Sequence, residues 1–186
     1  MLEARDEIIK NRAVVADDWA LLRLDEGEAA DTVTVPVGKV IVPLLVWQAQ
    51  RAALESLLPD IGVWLASNER PEVLAGDVEK FAVIAVNFPK FTDGRGYSIA
   101  YNLRARLGYK GELRAIGDVL RDQLFSMQRV GFDAYATRPD RSIHEALKGL
   151  SVFSETYQAS WDEKAPLFHR HKRDVQSPDT DIGFGI

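Results

Sequence analysis

The 186-residue sequence has no cysteine. Disulfides, cysteine-held iron–sulfur clusters, thiolate zinc sites and thiol nucleophiles are therefore beyond what this chain can build alone. Any redox chemistry needs a bound cofactor or a partner protein to carry the electrons, and the sequence leaves a nicotinamide or flavin nucleotide open. Histidine is scarce as well, with three residues. His144 stands alone, while His169 and His171 alternate with no third donor nearby, so no metal site is expected. No Ser/His/Asp arrangement can be assembled. Long apolar runs are missing too. The longest, Val40 to Trp47, contains Pro43 and falls far short of the roughly 20 residues of a membrane span. Met1 to Lys10 is charged and lacks an apolar signal core. These absences predict a cytoplasmic protein with no membrane contact. Positive charge is in deficit, with 23 Lys+Arg against 28 Asp+Glu and a net charge of -5. Nucleic acid is not an expected partner.

What is present is ordinary globular composition, 46% hydrophobic and 27% charged, enough for a substantial core in one domain. Short apolar runs starting near 40, 61, 82, 112 and 133 alternate with helix-like segments over Gln48–Leu58, Pro71–Phe81, Tyr97–Leu107, Val119–Val130 and from Ser142 to about Tyr157. Ser142-Ile143-His144-Glu145 fits a capping box. Before them, Ala13–Ala16 and Trp19–Leu22 flank Asp17-Asp18 and read as an antiparallel hairpin. The predicted fold is α/β. An N-terminal β-hairpin leads into about five βα units forming a parallel sheet, either open and doubly wound or a partial β/α barrel. The domain should span residues 1–164. Residues 165–186, with scattered Pro and Gly, read as a flexible tail, with Phe168 or Phe184 available to dock.

The charge is unevenly spread. Residues 90–121 carry Lys90, Arg95, Arg104, Arg106, Lys110, Arg114 and Arg121 against Asp93, Glu112 and Asp118. A basic stretch in an acidic chain suggests an anion-facing surface, although the preferred reading of Arg104, Arg106, Lys110 and Arg114 is that they solvate a helix and its exit turn.

The densest chemistry lies in Lys90-Phe91-Thr92-Asp93-Gly94-Arg95-Gly96-Tyr97-Ser98, between a buried strand and a helix. Glycines permit close backbone approach, a helix start favours anions, and Lys90 and Arg95 add charge. The segment is neither a P-loop nor a dinucleotide fingerprint. Its plainer reading is a loop whose Thr92 and Asp93 cap the helix. A second glycine-bearing turn, Gly117 to Gln123, should face the same end of the sheet. Asp118 is its candidate N-cap, and Arg121 and Gln123 could complete a pocket, with Arg138 as a further contributor. The candidate ligand-binding set is thus Lys90, Thr92, Asp93, Gly94, Arg95, Gly96, Tyr97, Ser98, Asp118, Arg121, Gln123 and Arg138. General acid–base work would fall to Asp93, Asp118 or Tyr97.

The run from Asn87 to Ser98, the run from Tyr109 to Leu124, and Gly131-Phe132-Asp133-Ala134 resemble the bacterial family called domain of unknown function 934. Ile9-Lys10-Asn11-Arg12, Asp17-Asp18-Trp19 and Ala146-Leu147-Lys148-Gly149-Leu150 fit it as well. The resemblance covers roughly Ile8 to Gln158 and implies an oxidoreductase role in sulfite reduction, with no established catalytic residues to carry over. Val130 stands where the family pattern leads one to expect cysteine, which argues against a thiol mechanism. The missing cysteines also exclude the sirohaem–iron–sulfur catalytic subunit. The resemblance therefore implies an accessory protein of assimilatory sulfite reduction that binds a small anionic ligand. The alternatives are a module docking on sulfite reductase or its electron donor, and a nucleotide-dependent oxidoreductase. A homodimer is expected on general grounds.

Overall fold

The computed structural model describes residues 1–153 and 157–164, in which nine short strands make one sheet. In chain order they are β1 (Leu2–Glu3), β2 (Glu7–Lys10), β3 (Ala13–Ala16), β4 (Ala20–Leu22), β5 (Val40–Pro43), β6 (Ile61–Leu65), β7 (Val83–Phe88), β8 (Glu112–Gly117) and β9 (Ala134–Tyr135). Helix α1 (Leu44–Leu54) follows β5, α2 (Arg95–Ala105) follows β7, α3 (Arg121–Arg129) follows β8, and α4 (Ile143–Leu147) follows β9. The spatial order is β1-β4-β5-β6-β7-β8-β9-β2-β3. Strands β4 to β9 run parallel, with antiparallel strands added at both edges.

The five predicted βα units are β5 to β9 with their connections. The predicted hairpin partners are wrong. β3 pairs with β2, not with Ala20–Leu22. Its turn is Asn11-Arg12, both at positive φ (49° and 64°), the left-handed geometry that matches hairpin twist. Asp17–Trp19 is a crossing segment, and β4 lies near the opposite edge of the sheet. Three helix bounds also differ. Helix α1 begins directly after Pro43, which fits ahead of a helix because its missing N–H is not needed there. Residues 71–81 make two separate 3-10 turns, Pro71–Leu74 and Val78–Lys80. Helix α4 passes at Lys148 into a 3-10 turn ending at Ser151. There Gly149 packs so closely that a Cβ would lie 2.3 Å from the Arg121 carbonyl oxygen. The predicted tail lies outside the described residues.

Period-two alternation sorts the strand side chains onto two faces. Val42, Val63, Ile84, Val86, Leu113 and Tyr135 face the helices and pack with Trp47, Leu103, Leu124 and Met127. Leu21, Ile41, Val83, Ala85, Ile116, Ala134 and Ala136 face the other way, with Ile8 and Trp19, and this second cluster has no helical member. Helices on one face only make the partial barrel, not the doubly wound sheet, the form observed.

Connectivity forces the curl. β1 and β2 are seven strands apart in the sheet, yet only Ala4–Asp6 joins them. β3 and β4 are also seven apart, joined only by Asp17–Trp19. Such a link reaches about 14 Å at most, whereas seven strand spacings in a flat sheet are about 33 Å. The sheet must bend until its ends nearly meet. The links touch, since the Asp17 amide donates to the Asp6 carbonyl at 3.0 Å.

Arg114 points from β8 into this interior. Its Nε donates to Glu112 Oε1 at 2.6 Å and its Nη1 to Asp17 Oδ2 at 2.9 Å, while Lys10 Nζ sits 2.7 Å from Glu112 Oε2. The side chains of Arg114, Glu112 and Asp17 are 3%, 5% and 2% exposed. Arg104 is buried as well, donating to the carbonyls of Gly131, Tyr109 and Gly111 and to Asp133. Neither arginine solvates a helix or its exit turn, whereas Arg106 and Lys110 are exposed.

Burial pushes the Asp17 carboxyl above its ordinary value near 3.8, against the pull of Arg114. The folded chain then holds this proton more tightly than the unfolded chain. The contribution of this group to stability falls as pH rises from the ordinary value through the raised one, and Asp133, also raised by burial, acts the same way. Asp17→Asn should flatten that decline in urea unfolding measured from about pH 4 to 7; an unchanged slope contradicts the assignment.

Candidate functional site

Six parallel strands, β4 to β9, present their carboxyl ends to one rim, where ligands of open and closed parallel sheets bind. Three loops meet there. Asp118 Oδ2, after β8, accepts the Phe91 amide of the loop after β7 at 2.8 Å. Arg138, after β9, donates Nη1 to Asp118 Oδ1 at 3.2 Å, and its amide donates to the Val119 carbonyl. Gln123 Nε2 reaches the Phe91 carbonyl at 3.2 Å. The two predicted turns therefore share one rim. Asp118 is a tie between loops and not an N-cap. Leu120 holds that position, and its amide is taken by Gln123 Oε1 at 2.9 Å.

The first turn is filled from within the chain. Asp93 Oδ1 accepts the Arg95 amide at 3.1 Å and Arg95 Nε at 2.9 Å, and Asp93 Oδ2 accepts Arg95 Nη2 at 2.6 Å and the Ser67 hydroxyl at 2.7 Å. These donors, Arg95 foremost, hold the Asp93 carboxyl well below the usual carboxylate range. A carboxylate thus already occupies the start of α2. Gly94 has an ordinary φ of -82° and no atom near its missing Cβ. Gly96 is needed for packing, since a Cβ would lie 2.6 Å from the Phe88 ring. Tyr97 is half-buried edge-on against Phe88, with ring centres 5.5 Å apart, and burial raises its hydroxyl pKa. Lys90, Thr92 and Ser98 are exposed. In the second turn Gly117 has φ +92°, and a Cβ would lie 2.4 Å from the Phe88 carbonyl oxygen; only glycine serves there.

Beside these ties lies a groove of about 460 Å³. Val119, Leu120 and Ala146 supply apolar lining, and Arg121, Arg141, Asp122 and Glu145 supply charge. Arg121 faces Glu145 at 3.9 Å and Arg141 faces Asp140 at 3.8 Å, both beyond hydrogen-bond length. Arg138, by contrast, is gripped by Asp140 at 2.9 and 2.8 Å. Of the predicted set, Arg121 lines the groove and Lys90 and Arg95 do not.

The prediction missed Arg141, which is contiguous with Arg138 and Asp140 and belongs to the same loop. It also missed a charged set inside the barrel: Glu3, Arg5, Asp17, Arg23 and Arg114 around a small hollow. The alternation of Glu112 and Arg114 on a strand was the one local signal for it. The other members converge only through the strand order. Among the described residues no group of three or more His, Asp or Glu is placed to hold a metal ion, and no helix is long and apolar enough to cross a membrane.

A family model described as "Bacterial protein of unknown function (DUF934)" matches residues 62–168. The chain belongs to the DUF934 family. The match takes in every rim residue from Lys90 to Arg141 and leaves the two N-terminal links outside. No curated protein and no solved structure matches the chain.

Because Asp118 joins all three DUF934 rim loops, Asp118→Ala should cost about 1–2 kcal/mol of stability. It should also speed hydrogen exchange at the Phe91 amide, read by NMR. Unchanged exchange there would show that the loops hold together without it.

Proposed function

We propose that this chain is an accessory protein of assimilatory sulfite reduction that binds a small anion or a phosphate-bearing ligand in the rim groove between α3 and α4. The pathway rests on the family resemblance alone. The ligand class rests on one observation: Arg121 and Arg141 line a groove of about 460 Å³ and are the rim guanidinium groups held most loosely by carboxylates. Arginines already clamped at hydrogen-bond length, such as Arg95 and Arg138, would have to give up an internal carboxylate first.

Position supports the reading by analogy. In β/α barrels phosphate commonly binds at the loops after the last two parallel strands, near the start of a short helix. Here those strands are β8 and β9, and the helix starts are those of α3 and α4. The apolar floor suits a ligand with an uncharged body, so a nicotinamide or flavin nucleotide belongs to the class. A second reading, docking on sulfite reductase or its electron donor, is favoured by Phe91, 47% exposed at the same rim.

Inorganic phosphate and adenosine monophosphate at millimolar levels should raise Tm by several degrees, as saturating a site on the folded state does. The Arg121→Ala Arg141→Ala double variant should lose that rise, while Arg95→Ala keeps it. No rise in the wild type, or a rise that survives the double substitution, removes the rim groove as the site. Partner capture from the native host that is lost at high salt would favour the docking reading.

A further inference from the structure

The interior of the curled sheet holds a second feature, independent of the rim groove. A hollow of about 20 Å³ opens among Glu3, Arg5, Asp17, Trp19, Arg23 and Arg114. That is room for one particle slightly larger than a water molecule. Gly117 and Ala136 also border it, which sets it at the carboxyl ends of β8 and β9, on the inner face.

Three guanidinium groups reach this hollow from three separate parts of the chain. Arg5 comes from the first link, Arg23 from just after β4, and Arg114 from β8. Two are matched by acids. Arg23 Nε donates to Glu3 Oε1 at 2.7 Å, and its guanidinium lies over the Trp64 ring at 5.4 Å. Arg114 is matched by Glu112 and Asp17. Asp17 Oδ1 also takes the Trp19 amide at 3.2 Å. Arg5 differs. Its Nη1 donates to the Thr137 carbonyl at 2.6 Å, and among the described residues no carboxylate stands within ion-pair distance of it. Of the charged groups that border the hollow, three are cations, Arg5, Arg23 and Arg114, and two are anions, Glu3 and Asp17, while Glu112 meets Arg114 from outside it.

A cation without a close anion in a partly closed space is costly unless something compensates it. Burial lowers the Arg5 pKa against the pull of Glu3 and Asp17, and the neighbouring Arg23 and Arg114 charges add to the lowering. The two carboxylates on the hollow, Glu3 and Asp17, are each hydrogen-bonded by another arginine and act on Arg5 only from beyond ion-pair distance. We propose that the hollow binds one small monovalent inorganic anion of halide size, held by Arg5 with Arg23 and Arg114 and supplying the close negative charge that Arg5 lacks among the described residues. The small hollow suits a single ion, whereas the rim groove is many times larger, which separates this ligand from that of the rim groove.

Bromide is the probe. Crystals soaked in sodium bromide and measured at the bromine absorption edge should show an anomalous peak in the hollow, between the Arg5 and Arg114 guanidinium groups. In solution, replacing sodium gluconate by sodium bromide at constant ionic strength should raise Tm of the wild type and, equally, of the Arg121→Ala Arg141→Ala variant. Arg5→Gln should raise the half-saturating bromide concentration at least about tenfold, and Arg5→Lys should restore most of it. A water in the hollow with no anomalous peak overturns the proposal. So does a bromide response that Arg5→Gln leaves unchanged. Loss of the response in the rim variant would assign the anion to the rim groove instead.

Discussion

Two links of three residues, Ala4–Asp6 and Asp17–Trp19, tie opposite ends of the sheet, and the rest of the architecture depends on them. They allow no flat or doubly wound arrangement of these strands. Curling closes the inner face on itself, so large side chains can fill it only where small residues make room. Gly62 shows how tight it is: a Cβ there would lie 2.9 Å from the Val83 carbonyl oxygen and 3.4 Å from the Trp19 ring. Ala85, Ala134 and Ala136 line the same face, and Trp19 from the second link fills it. The buried Arg114 then joins the sheet wall to that link through Asp17. Removing one partner of such a buried pair leaves the other charged and unmatched, typically a loss of about 3–5 kcal/mol.

This construction decides where a ligand fits. An interior nearly filled by Trp19, Arg5 and Arg114 leaves a hollow of about 20 Å³, against about 460 Å³ in the groove on the rim. The rim is crowded with opposite charges, and its electrostatics turn on which arginines are already satisfied. Arg95 and Arg138 hold the loops in shape by gripping Asp93, Asp118 and Asp140. Arg121 and Arg141 are the members left facing the groove with their acids at arm's length.

Much of this was legible in the sequence. The βα spacing located β5 to β9, and the apolar periodicity of Ile99 and Leu103, and of Leu124 and Met127, placed α2 and α3 against the sheet. The meeting of the Asp93 and Asp118 loops followed from each standing after a parallel strand. Pairing at the edges did not follow, because an apolar run carries no mark of which run it will join; Ala13–Ala16 fits Glu7–Lys10 as well as Ala20–Leu22. Partners of charged residues were equally hidden. Arg104 and Arg114 look like solvated cations in a basic stretch, and only the fold brings Asp133 and Asp17 to them. The glycines at 94 and 96 suggested ligand approach, yet Gly96 makes room for Phe88.

A double-mutant cycle on Arg114 and Asp17 tests the closure of the barrel most directly. Unfolding free energies of wild type, Arg114→Met, Asp17→Asn and the double variant should yield a coupling of about 1.5–3 kcal/mol, as for a buried pair in contact. Effects that add to within about 0.5 kcal/mol would mean that the second link crosses the barrel without being held by its wall, and the account of the closure would fall.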